Sequence, residues 1–187
     1  GYTNHGEKMN GISQEDALGC KVGRCYSFDG SNDYIYSVLG NLAEEYTIAM
    51  WVKTESNSQS VSGFSDDVPT DGTHEKEFFI NGDGKIKFRG YDGSENNVTS
   101  TTSVDDEDWH HISATAKGNE YVRIYVDGRL EDQTSIGSLY DGYSTGYFTA
   151  GIGSELDTYF DGKIDQVKIF NRSLSQQEII HKTDGLS

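Results

Sequence analysis

Twenty-two glycines and a single proline cut these 187 residues into short runs rich in Val, Ile, Tyr, Phe and Thr. Short apolar runs punctuated this way are the pattern of an all-β sandwich. The runs predict strands over 24–28, 33–38, 46–53, 77–81, 85–91, 97–103, 109–117, 120–127, 129–134, 146–151 and 159–170. Asn81-Gly82-Asp83-Gly84 and Asp127-Gly128 carry the residues that tight hairpin turns demand, because those turns need positive φ. Before the second turn, Val122, Ile124 and Val126 face one way and Tyr121, Arg123 and Tyr125 the other. One helix is expected near the C-terminus, where Ser175-Gln176-Gln177-Glu178 reads as a capping box and Ile179 and Ile180 follow to pack it down. The stretch 54–76 holds Ser, Asp, Gly and the one Pro; it reads as an extended loop with a short strand near 61–64. No internal repeat or second domain is visible.

Charge narrows the partners. Fifteen basic against 31 acidic residues give a net charge of −16, which excludes a nucleic-acid binder, since phosphate contacts need a basic surface. It equally excludes electrostatic adhesion to anionic lipid. Glycans, extracellular proteins and cations are the partners left, although plain solubility accounts for part of the acidity. Hydrophobic residues are only 34% of the chain, yet 12% is aromatic, enough to build a core. No apolar run approaches the ~18–20 residues of a membrane span, so no direct membrane insertion is expected. Cys20 and Cys25 flank Lys-Val-Gly-Arg. That spacing suits a local disulfide, with two reduced thiols as the alternative; a disulfide would point outside the cytoplasm.

Several segments, taken in order, resemble one family. Tyr26-Ser27-Phe28-Asp29-Gly30-Ser31-Asn32-Asp33-Tyr34-Ile35 looks like the opening of laminin-G-like, concanavalin-A-like jelly rolls. Tyr46-Thr47-Ile48-Ala49-Met50-Trp51-Val52-Lys53 resembles their Trp-Val-Lys strand, and Trp109-His110-His111-Ile112 and Tyr125-Val126-Asp127-Gly128 resemble two more of their signatures. The run from Phe160 to Ser175, with Ile164-Asp165-Gln166-Val167 at its centre, resembles the closing strand. The resemblance implies a two-sheet antiparallel jelly-roll sandwich with one short C-terminal helix, a single domain over 1–187. Such domains usually begin with a further strand, absent before Tyr2-Thr3-Asn4-His5-Gly6. The chain therefore reads as a module excised from a longer surface or secreted protein, with a sheet edge that a donated strand from another segment or chain would complete.

The candidate site residues follow from chemistry and from the resemblance. Trp51 and Trp109 sit in core-type positions. His110 and His111, adjacent on a strand, point to opposite faces and cannot chelate one ion. Alternation places Asp165 with Val167 and Ile169 on the core side, where a lone carboxylate must be paired, hydrogen-bonded or metal-bound. The resemblance puts it beside the turn holding Asp29, Ser31, Asn32 and Asp33, so calcium held by Asp29, Asn32 and Asp165 is one expectation. A carboxylate satisfied by backbone amides is the other. Glu155-Leu156-Asp157 is similar to the calcium loop of pentraxins, with Asp66, Asp67, Asp71 and Glu75 as possible further ligands. Read instead as Glu-x-Asp-x-Tyr, the segment resembles the catalytic strand of jelly-roll β-glucanases but lacks the third carboxylate, so no catalysis is expected. Tyr140, Tyr143 and Asp71 are the candidates for ligand contact, by ring stacking and carboxylate hydrogen bonds. The function expected is a non-catalytic recognition module, extracellular or on the cell surface, binding glycan or a surface partner with calcium assistance; a structural or protein-binding module is the alternative.

Overall fold

The computed structural model describes residues 6–40, 42, 44–65, 76–139, 146–153 and 158–183. In chain order its strands are β1 (Glu7–Met9), β2 (Ser13–Glu15), β3 (Cys25–Asp29), β4 (Tyr34–Val38), β5 (Glu45–Lys53), β6 (Gln59–Ser65), β7 (Lys76–Ile80) and β8 (Lys85–Tyr91). There follow β9 (Glu95–Ser103), β10 (His110–Lys117), β11 (Tyr121–Val126), β12 (Arg129–Thr134), β13 (Tyr147–Ala150), β14 (Asp161–Phe170) and the helix α1 (Gln176–Thr183). All pairings are antiparallel. Sheet A runs β1-β4-β13-β6-β7-β8-β9 and sheet B runs β12-β11-β10-β5-β14-β3-β2. The all-β, two-sheet sandwich with one C-terminal helix that the sequence predicts is the fold observed.

The core lies between the sheets. Ile48, Met50 and Val52 of β5 meet Phe78, Ile80 and Phe88 across it, each essentially fully buried. β11 alternates as expected, with Val122, Ile124 and Val126 inward. Its hairpin turn places Asp127 and Gly128 at φ 49° and 78°, the left-handed region that glycine enters without cost. The capping box forms: the Ser175 amide donates to Glu178 Oε2 at 2.9 Å, and the Glu178 amide donates to Ser175 Oγ at 3.4 Å. Arg172 and then Ser175 hold the Glu178 carboxyl down at about 2. α1 then lies on the outer face of sheet B, where Ile179 packs with Leu174, Tyr125 and Phe170.

Three expectations change. β6 is a full strand inside the predicted loop, buried along its length. Trp109 is only half-buried and precedes β10 rather than joining the core. Asp165 does not face the core. Its register partner is Trp51, on the face opposite Ile48, Met50 and Val52, and a bulge between Asp165 and Lys168, with Gln166 at φ 50°, resets the alternation. Ile169 therefore points inward and Asp165 outward, although both lie at odd positions of one strand.

Candidate functional site

A polar cavity opens on the outer face of sheet A. β7 and β8 pair Glu77 with Arg89 and Phe79 with Lys87. Because Phe78, Ile80, Ile86 and Phe88 take the core side, alternation sends Glu77, Phe79, Lys87 and Arg89 to the other face. With Asn81 they line a cavity of about 260 Å³, slightly below the usual range for small-molecule sites and suited to a small polar group.

Glu77 is the unusual member, a carboxylate only 2% exposed on an outward face. Its neighbours explain this. Ser60 of β6 donates to Glu77 Oε1 at 2.9 Å and also bonds Thr158 at 3.0 Å. Gly153 leaves the space Glu77 fills, since a Cβ there would lie 2.2 Å from Oε1. Arg89 stands 3.6 Å from Glu77 and 3.8 Å from Glu95, so one guanidinium serves two carboxylates. The side chain of Asn97, then Arg89, hold the Glu95 carboxyl below its ordinary range. Asn81 is fixed by accepting the amides of Asp83 and Lys85 at 3.0 Å. The cavity thus presents a preset carboxylate, two cations and the half-buried ring of Phe79. Carboxylate and cations can accept and donate to vicinal hydroxyls, and the ring can take a C–H face.

The other candidates lie elsewhere. Cys20 and Cys25 are joined as a disulfide. The loop it closes covers the outer face of sheet B: Lys21 Nζ lies 3.9 Å from the Trp51 ring centre, and the Val22 amide donates to Asp165 Oδ2 at 2.7 Å. Trp51 in turn meets the His111 ring edge-on at 5.3 Å. Asp29 accepts the Ser31 amide at 2.9 Å, and the main-chain oxygen of Asn32 accepts from Asn10. The register brings Asp161, not Asp165, opposite Asp29. Asp165 lies four residues further along, about 13 Å at ~3.3 Å per residue. Asp71, Tyr140, Tyr143, Glu155 and Asp157, with Asp66, Asp67 and Glu75, lie outside the described residues. No sequence reading singled out Glu77 or Arg89; the alternation in residues 77–80 and 86–89 carries the signal, but only the cross-strand register joins the two.

The family model Laminin_G_3, of the concanavalin A-like lectin/glucanases superfamily, matches residues 29–180. The chain belongs to this family. No curated protein matches this Laminin_G_3 domain at a significant level. Among solved structures it is similar to the binding domain of Paraclostridial Mosquitocidal Protein 1, at 16% identity and TM-score 0.72, covering 97% of this chain and 47% of that one. It is also similar to domain 4 of AbnA, an extracellular GH43 arabinanase from Geobacillus stearothermophilus solved with arabinotriose (17% identity, TM-score 0.72, 92% and 81% covered). A third is the SAP-like pentraxin of Limulus polyphemus (12%, 0.67, 84% and 80%). At such identities the likeness speaks to fold. The domain spans about half of the first of these chains.

A calcium ion shared by Asp29, Asn32 and Asp165 does not fit this Laminin_G_3 domain. The register separates Asp165 from Asp29, and Asp165 already accepts an amide from the disulfide loop. Among the described residues, no three His, Cys, Asp or Glu side chains converge as a metal site.

Proposed function

We propose that this domain is a non-catalytic recognition module, extracellular or on the cell surface, that binds glycan in the cavity on the outer face of sheet A. The observation that carries this reading is Glu77, a buried carboxylate turned outward beside Arg89, Lys87 and Phe79. Two paired charges held rigid on strands and flanked by an aromatic ring form a set of fixed hydrogen-bonding groups, which is what a neutral polyhydroxylated ligand selects. A net charge of −16 is compatible with a neutral glycan and works against an anionic one. The structural likeness to an arabinanase domain solved with arabinotriose and to the binding domain of a mosquitocidal protein supports a glycan ligand. The disulfide supports an oxidising location. Calcium enters this reading through Glu155 and Asp157 alone.

A glycan array read with and without EDTA, followed by calorimetric titration with arabinotriose and with the best array hit, tests the proposal. Lys87→Ala and Phe79→Ala should each weaken the glycan roughly tenfold, about 1.4 kcal/mol, with an unchanged melting temperature. Binding that survives both substitutions, or an array blank at every glycan, overturns the site. EDTA sensitivity that Asp157→Asn abolishes would put calcium at the 155–157 segment. Incubation with the bound polysaccharide should release no new reducing ends.

A further inference from the structure

The strongest unassigned feature is a gap in sheet B. β3 pairs with β14 only from Asp161 to Ile164, whereas β5 follows β14 on the other side as far as Phe170. From Gln166 onward β14 therefore has a neighbour on one side only among the described residues. Burial records the gap: β5 is buried along seven of its nine residues, but Val167 of β14 is 39% exposed and Ile169 only partly covered. Among the described residues the sandwich is open under this edge. A cleft of about 510 Å³ runs between the sheets, lined by Tyr26, Phe28, Ile35, Phe148, Ile164 and Ile169. Tyr26, Ile35, Leu39 and Ile169, all core residues left partly exposed, meet there.

We propose that this edge docks an extended strand from a partner polypeptide, with apolar side chains at alternate positions directed into the cleft and acidic or neutral ones outward. Only a strand meets both demands at once: backbone partners for the open rung of residues 166–170, and side chains at period two to fill the space beneath. Five residues of ladder span about 17 Å, which sets the length of the docked segment. The outer rim sets its charge. Lys168 stands on the outer face opposite Ala49, Lys21 lies over Trp51, and Arg24 lines the mouth of the cleft. These cations gather at one edge of a chain whose net charge is −16. A second copy would serve poorly. Its own β14 has Ile164 and Ile169 committed to its own core, so edge-to-edge pairing would leave the cleft empty, and two chains of −16 repel.

Amide hydrogen exchange on the 187-residue chain decides the matter. The probe is a synthetic nine-residue peptide with Val or Leu at every second position and Glu or Thr between. Peptide should slow exchange within 166–170 and leave the sheet A cavity unaffected, while a peptide of the same composition with its apolar residues grouped should not bind. Val167→Glu, at an exposed site, and Ser37→Phe, which puts a ring into the cleft, should each weaken the peptide roughly tenfold or more, about 1.4 kcal/mol. Retained glycan binding in both variants shows that they fold and separates this site from the sheet A cavity. The proposal falls if 166–170 is already protected in the free chain, if the alternating peptide gives no protection, or if sedimentation shows a dimer that buries the edge.

Discussion

The two long sides of this sandwich solve the same problem differently. On one side β9 ends sheet A and β12 ends sheet B, and side chains lace them together. Glu131 Oε2 accepts the amides of Thr101 and Thr102 at 2.7 and 2.9 Å, Glu131 Oε1 accepts the Thr102 hydroxyl at 2.6 Å, and Asp132 accepts the Thr99 amide at 2.9 Å. Carboxylates there take the place of a neighbouring strand for the amides of Thr99, Thr101 and Thr102. On the other side, among the described residues, no carboxylate plays that part for residues 166–170, and the core shows through a cleft. Edge strands are a hazard that folds ordinarily suppress. Two residues, Glu131 and Asp132, suppress one edge, whereas among the described residues 166–170 have no such cover, which is where the docked strand is proposed.

The largest effect should come from acid, acting on the outer face of sheet B beneath the disulfide loop. His111 lies on the outer face of sheet B beside Trp51, 3% exposed, with its Nδ1 unpartnered among the described residues. Burial lowers its pKa to about 4; Asp127 opposes the shift, and Lys168 and Lys21 add to it. Asp165 pairs with Trp51 on the same face. The unfolded chain takes up this proton near pH 6.5 and the folded chain near 4, so stability falls as pH drops through that window, by up to about 3 kcal/mol. His110 runs the other way. Asp127 and then Asp106 outweigh its burial and raise its pKa, so its contribution is complete below 6.5 and is lost as pH climbs through the raised value. Urea midpoints at pH 6.5, 5.5 and 4.5 should decline in the native chain and flatten in His111→Gln. Parallel slopes in the two proteins would remove His111 from the account.

The closed side should yield later and by less. Burial raises the Glu131 pKa, but the hydrogen bonds from Thr102 and Thr101 outweigh it and leave the carboxyl below its ordinary range. Its contribution is thus present above the unfolded pKa near 4.5 and lost as pH falls through the depressed value. Glu131→Ala removes charge-assisted bonds at a partly solvated seam, a loss of about 2 kcal/mol. For a domain of this size that is a fall in Tm of roughly 4–8 °C. Hydrogen exchange should then quicken at Thr101 and Thr102 while 166–170 is unchanged. If both regions quicken together, the two sides are one cooperative unit and the contrast fails.

Much of this was legible in the chain, and the failures have physical causes. Alternation in β11 and the Asp127-Gly128 turn fixed that hairpin because local preference and burial agree there. β6 was expected only as a short strand near 61–64, because its Gln-Ser-Val-Ser-Gly-Phe-Ser composition is that of a loop; its Ser60 is buried because Glu77, about 56 Å of extended chain away at ~3.3 Å per residue, accepts its hydroxyl. β1 and β2, three residues each, are too short to show a period. The misplacement of Asp165 has a single source, the bulge at Gln166: a glutamine at positive φ announces nothing in a sequence, yet it reverses which residues face inward. Glu77 and Arg89 likewise become a site only when register sets them opposite each other.

Ser37→Phe should give the smallest effect, and set beside Ser100→Phe it is the sharpest test, because the sign should differ between the two sides. Ser37 lines the open cleft and is half-buried, with Ile35 and Leu39 beside it on the same strand face. Ser100, on the closed side, is 3% exposed, accepts the Ile86 amide at 3.0 Å and donates to the Thr102 carbonyl at 2.7 Å. Ser37→Phe adds a ring to space already present. Covering about 40 Å² of apolar surface at ~25 cal/mol/Å² stabilises the chain by about 1 kcal/mol, a rise in Tm of a few degrees. Ser100→Phe has no such space. It forces the core apart and breaks two hydrogen bonds, a loss of roughly 1–3 kcal/mol from overpacking alone. Thermal melts of the two variants beside the native chain read both signs at once. A lowered Tm for Ser37→Phe would mean that the cleft is closed in solution, and the docked strand would then have to displace something already there.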